Sequence, residues 1–83
     1  MQRKEYRDRL LHQVAQIVRE KREEKGLSQT ELAARSGLSQ PMIGFIEQQQ
    51  RNPTLDALLR VAEALNISVS EIVIEAEKRS RED

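Results

Sequence analysis

From Tyr6 to Lys25 the chain carries neither Gly nor Pro, and Tyr6, Leu10, Leu11, Val14, Ile17 and Val18 recur at intervals of three and four. Such intervals place side chains on one stripe of a helix, so the pattern predicts a long amphipathic first helix. Gly26 stands where a helix needs a left-handed terminating residue, and Leu27 can fold back onto the helix end. Ser28-Gln29-Thr30-Glu31 has capping-box form, with Ser28 accepting from the N3 amide and Glu31 reaching back to the cap. A short second helix to about Ser36 follows. Gly37 and Leu38 make a tight turn, and Ser39 offers an N-cap ahead of Gln40-Pro41, proline being tolerated only in a helix's first turn. The third helix is expected over residues 40–49.

Gln50-Arg51-Asn52-Pro53 breaks the pattern, after which Thr54 caps a fourth helix whose stripe is Leu55, Leu58, Leu59, Ala62 and Leu65. Asn66 ends it. Ser68 with Glu71 forms a second capping box before Val69, Ile72, Val73 and Ala76, the stripe of a fifth helix. Residues 77–83 are polar and are expected to fray. Five helices on short turns, without strand-like alternation or internal repeat, predict one compact all-α domain over 1–83, a five-helix bundle with its core at about 10–76.

Composition narrows the function. There is no cysteine, which removes disulfides and thiolate metal sites and fits a reducing, cytoplasmic setting. No apolar run approaches the roughly 20 residues of a membrane span, and the opening MQRKEYRDRL is too charged for a signal peptide, so no membrane is expected. His12 is the one histidine, and no Ser-His-Asp, metal-ligand or phosphate-loop pattern accompanies it. His12 is therefore expected to be a surface residue, and the chain to be no enzyme and to need no cofactor, metal or small-molecule ligand. Fourteen basic and fourteen acidic residues cancel, which is awkward for a nucleic-acid binder, whose phosphate contacts usually leave a basic footprint. The distribution softens this: residues 1–25 hold eight basic and five acidic side chains, whereas residues 67–83 hold three and five.

The informative block is Leu27 to Pro53, LSQTELAARSGLSQPMIGFIEQQQRNP, which sets two short helices around a glycine-bearing turn. That spacing alone is common in helical proteins; its detail is not. Over about Val14 to Val73 the sequence closely resembles the lambda repressor-like, or xenobiotic-response-element-type, helix-turn-helix family of transcriptional regulators. The matching residues are Arg22, Gly26, Leu27-Ser28-Gln29, Leu32-Ala33, Ser36-Gly37-Leu38-Ser39-Gln40, Ile43, Ile46-Glu47, Arg51-Asn52-Pro53, Leu58 and Ala62 with Leu65. The resemblance implies a helix-turn-helix at about 28–49, sequence-specific binding of double-stranded DNA with helix 40–49 in the major groove, and a salt bridge between Arg22 and Glu47 that orients this helix. At Lys21 the family more often has an apolar core residue, and the lysine stem is placed to cover the core instead.

At 100° per residue, Ile43 and Ile46 face one way on the third helix while Pro41, Gly44, Phe45 and Gln48 face the other, and this outward set forms the candidate base-contacting surface with Gln40. A glutamine amide at the helix N-terminus can bond adenine N6 and N7 together; otherwise Gln40 is merely solvated. Phe45 departs from the polar or basic residue common in the family, and either meets a thymine methyl or folds over Met42 or a neighbouring loop. Gly44 reflects close approach to DNA or simple drift. With no Lys or Arg in this helix, phosphate contact falls to Gln29 and the N-terminus of the second helix, to Ser39, and to Arg51 with Asn52. Ile74 lies off the stripe of the fifth helix. It could be covered, with Tyr6 and Leu10, in a homodimer suited to a palindromic operator, or Tyr6 and Leu10 could pack beneath it within one chain. The rival to DNA binding is a protein-interaction or antitoxin-type module that keeps the scaffold. Repressor, restriction-modification controller and antitoxin all remain open roles.

Overall fold

The computed structural model describes residues 3–82, which form five helices in chain order: α1 (Arg3–Glu24), α2 (Gln29–Ser36), α3 (Gln40–Glu47), α4 (Leu55–Ala64) and α5 (Val69–Glu82). Among the described residues there is no strand. The fold is all-α, as the periodicity predicts. α1 and α5 lie along each other in the most extensive helix contact of the fold, α2 packs on both α3 and α4, and α3 also touches α1. The core is aliphatic: Ile17 and Val18 from α1, Leu32 from α2, Ile43 from α3, Val61 and Leu65 from α4 and its end, and Ile72 and Ala76 from α5. Each of these Val, Leu and Ile side chains removed from water contributes about 1.5–3 kcal/mol.

The helix ends follow local chemistry. The Ser28–Glu31 capping box is complete, with Ser28 Oγ accepting from Glu31 N at 3.0 Å and Glu31 Oε1 accepting from Ser28 N at 3.0 Å. Hydrogen bonds from this N-terminus hold the Glu31 carboxyl below its usual range. Ser39 and Thr54 cap α3 and α4 through Met42 N and Ala57 N. At Ser68 only the forward half of the expected box forms, from Glu71 N at 3.1 Å. α1, α2, α3 and α4 each end in a residue with positive φ whose successor's N–H reaches back five residues, namely Gly26, Gly37, Gln49 and Asn66.

The extents and buried faces of α3, α4 and α5 differ from expectation. The third helix stops at Glu47 and not at Gln49, because Gln49 adopts φ 59° and Gln50 N donates back to Phe45 O at 2.8 Å. In α4 the buried arc is Ala57, Leu58, Val61 and Ala62, continued by Leu65; Leu55 is 67% exposed and Leu59 50%. Leu59 sits roughly 130° around the helix from the centre of that arc, so its place in the expected stripe was a coincidence of spacing. Residues 77–82 do not fray. Ser80, one turn beyond Ala76, is 1% exposed and donates to Ala76 O at 2.8 Å. Arg79 bonds Glu20 of α1 through both Nη atoms at 2.9 and 3.0 Å and Glu75 through Nε at 2.9 Å.

Candidate nucleic-acid interface

α2 and α3 meet across the Gly37 turn, and Ser36, buried beneath it, accepts from Leu38 N. On the other side of α3, the Glu47 side chain is only 2% exposed and carries the polar framework of the site. Arg22 donates to it bidentately, Nε to Oε2 at 2.7 Å and Nη2 to Oε1 at 3.0 Å, and spends Nη1 on Leu27 O at 2.7 Å. The hydrogen bonds to Glu47 hold the Arg22 guanidinium charged more firmly than usual, against its partial burial. The pair ties α1, the α1–α2 turn and the end of α3 into one unit; its value lies in orientation more than in net stability, since desolvation offsets much of the attraction.

Glu47 also fixes polarity further out. A carboxylate can only accept, so Gln29 must turn its amide nitrogen toward it, and Gln29 Nε2 donates to Glu47 Oε1 at 3.1 Å. Gln29 Oε1 is thereby pointed at Gln40 and accepts from Gln40 Nε2 at 2.8 Å. One N–H of Gln40 is thus committed. Its second N–H and its Oε1 remain, side by side, on an exposed residue at the first position of α3. A donor and an acceptor in that arrangement match adenine N7 and N6.

Gly44, expected to face outward, is buried under this amide pair: a Cβ there would lie 3.5 Å from Gln29 Oε1 and 3.8 Å from Gln40 Nε2. Both are ordinary contacts, so the glycine is not demanded by space within the chain. Pro41 and Gln48 are exposed, and Phe45 is half-buried with the Arg51 guanidinium 5.3 Å above its ring centroid. Ser39 Oγ accepts from Met42 N and keeps its own proton for another partner. Asn52 lies exposed in the following turn. The structure therefore brings Arg22, Gln29, Gln40, Gly44 and Glu47 into one network and Phe45 with Arg51 into a second.

The candidate association residues differ in exposure. Ile74 is 62% exposed, Leu10 packs against the core cluster, and Tyr6 is half-buried. His12 is exposed as expected, but its Nδ1 lies 2.6 Å from Gln49 Oε1, a tie between α1 and the end of α3 across 37 positions that no local pattern could have signalled. No helix among the described residues is long and apolar enough to cross a membrane.

A family model described as helix-turn-helix matches residues 18–72, from the second half of α1 to the start of α5. The chain belongs to the helix-turn-helix family of DNA-binding transcriptional regulators. The regulator is 48% identical over 52 residues to the uncharacterized helix-turn-helix-type transcriptional regulator y4dJ of Sinorhizobium fredii, covering 63% of this chain and 68% of that protein. It is 43% identical over 60 residues to control protein C.SmaI of Serratia marcescens, covering 72% and 71%. Among solved structures, the restriction-modification controller protein C.AhdI of Aeromonas hydrophila superposes with a TM-score of 0.72 and 44% identity, over 75% of the regulator and 94% of that chain. The regulator's work is DNA-binding control of transcription.

Proposed function

We propose that the regulator binds duplex DNA sequence-specifically as a homodimer, with α3 of each copy in the major groove and Gln40 bonding an adenine edge. The observation that supports this most directly is the run of fixed donors and acceptors from Glu47 through Gln29 to Gln40. It holds a solvent-facing amide in one orientation before any DNA arrives, so little ordering is left to do on binding. Pro41, Phe45 and Gln48 complete the groove-facing surface, with Gly44 beneath the amide pair. Phosphate contact falls to the Ser39 hydroxyl, to Gln29 at the start of α2, and to Arg51 and Asn52 after α3. The protein acts by binding, as one domain, in the cytoplasm where its DNA lies.

Of the open roles, a restriction-modification controller is favoured by the match to C.AhdI over nearly its full length. The neutral net charge and the lack of Lys or Arg in α3 favour instead a protein-interaction module. Selection from random duplexes followed by salt titration separates them. DNA binding predicts an enriched motif with a shallow salt slope, since few cations flank α3; no enrichment and no salt dependence would leave only the interaction module.

Dimerisation is proposed through α5, with Ile74 at its centre, where a large apolar side chain is otherwise left in water. Two copies related by a two-fold axis present two recognition helices to a palindromic operator. Light scattering should give twice the 9.6 kDa of one chain for the wild type and a single chain for Ile74→Glu. A monomer in both overturns the assignment.

A further inference from the structure

The only aromatic residue of α3 is joined to a cation from the turn that follows it, and by two routes. Arg51 N donates to Phe45 O at 3.2 Å beside the bond from Gln50 N, and the Arg51 guanidinium stands over the Phe45 ring at 5.3 Å. Arg19, Arg22, Arg60 and Arg79 all face carboxylates. Among the described residues the Arg51 guanidinium has no carboxylate partner and no side-chain hydrogen bond; its contact is with the ring. Cation–π attraction to the ring uses none of the guanidinium's N–H groups, so these donors stay available to an outside acceptor.

We propose that Phe45 and Arg51 form one reading unit that recognises the C5-methyl group of a pyrimidine in the major groove, the ring receiving the methyl while Arg51 holds the ring and bonds the neighbouring phosphate. This rests on the placement of α3 in the groove. The pyrimidine methyl is the apolar feature that base edges present there, and 5-methylcytosine carries the same group as thymine. A phenyl ring has nothing to offer a polar base edge, and pressing one against it would strip water without replacing the lost hydrogen bond. Against a methyl, it only removes apolar surface from water. The cation on the ring restricts its rotation and brings a phosphate ligand to the same spot. Phe45 lies five residues beyond Gln40, about 7.5 Å along the helix axis, so the two side chains address different base pairs.

The test starts from the duplex enriched by the wild-type protein. Each thymine is replaced singly by deoxyuridine, and each cytosine by 5-methylcytosine, and affinities are measured for wild type, Phe45→Leu, Phe45→Ala and Arg51→Lys, each checked for folding by thermal melting. One thymine or cytosine per half-site should respond, with about fourfold weaker binding for each methyl removed or a matching gain for each methyl added. Response at a thymine identifies thymine as the natural source of the methyl, and response at a cytosine identifies 5-methylcytosine. The discrimination should vanish in Phe45→Ala, shrink in Phe45→Leu and shrink in Arg51→Lys, which keeps the charge but loses the planar, forked guanidinium. Indifference to every methyl, or discrimination that persists in Phe45→Ala, overturns the proposal while leaving the groove placement standing. Failure to enrich any duplex overturns the groove placement itself and the proposal with it.

Discussion

Gln49 is the residue at which the fold is most visibly strained. Its φ of 59° is in the left-handed region, where a side chain crowds the following carbonyl, and α1 and α2 reach equivalent ends with Gly26 and Gly37. Two contacts accompany the strain: its amide bonds His12 across the α1–α3 contact, and its conformation turns the chain so that Gln50 and Arg51 cap the Phe45 carbonyl. Gln49→Gly removes the steric cost and adds chain entropy to the unfolded state, for a net gain of about 0.5–1 kcal/mol. Thermal melting should show a rise of several degrees in midpoint. A lower midpoint would mean that the bond to His12 outweighs the strain. At this scale the sequence was informative wherever a residue type has one dominant use, as with Gly26, Ser28 and Ser39. Glutamine has no such use, and the end of α3 was misplaced by two residues for that reason.

At the scale of elements, the least legible part was the last two turns of α5. Their side chains are polar, so no apolar period marks them; what keeps them helical is Ser80, filling the i+4 place after Ala76, and the clasp of Arg79 on Glu20, 59 positions away. The same kind of long-range partner explains why the Arg22–Glu47 bridge is legible only through the family resemblance and the Gln29–Gln40 bond is not legible at all. α1, α2 and α4 were legible because their caps and apolar arcs are local. The clasp on α5 also sets an acid response. Hydrogen bonding to Arg79 holds the Glu20 carboxyl below its ordinary value of 4.5, so its contribution is present above that pH and is lost as pH falls through the folded value. Arg79→Ala should cost about 0.5–1 kcal/mol near neutral pH, remove part of the acid sensitivity and speed amide exchange in residues 77–82. Unchanged exchange there would show that Ser80 and core contact alone hold the end of α5.

For the whole molecule, a small aliphatic core carries α3 with a hydrogen-bonded amide and carboxylate network, Arg22–Glu47–Gln29–Gln40, that ends at its exposed first residue. Net neutrality, which argued against nucleic acid at first sight, is compatible with a site whose specificity comes from amides and a phenyl ring and whose cations are few and placed. What the architecture adds to the helix-turn-helix pattern is a direction: Arg22 fixes Glu47, Glu47 fixes Gln29, and Gln29 fixes the exposed edge of Gln40. The most direct test of that claim is to repeat the selection from random duplexes with Gln40→Ala beside the wild type. The variant should lose its preference for an A·T pair at one position of each half-site while the rest of the motif persists, at a cost of about 1–3 kcal/mol on the wild-type sequence. An unaltered motif would contradict it, because the amide that the entire network holds in place would then be reading nothing.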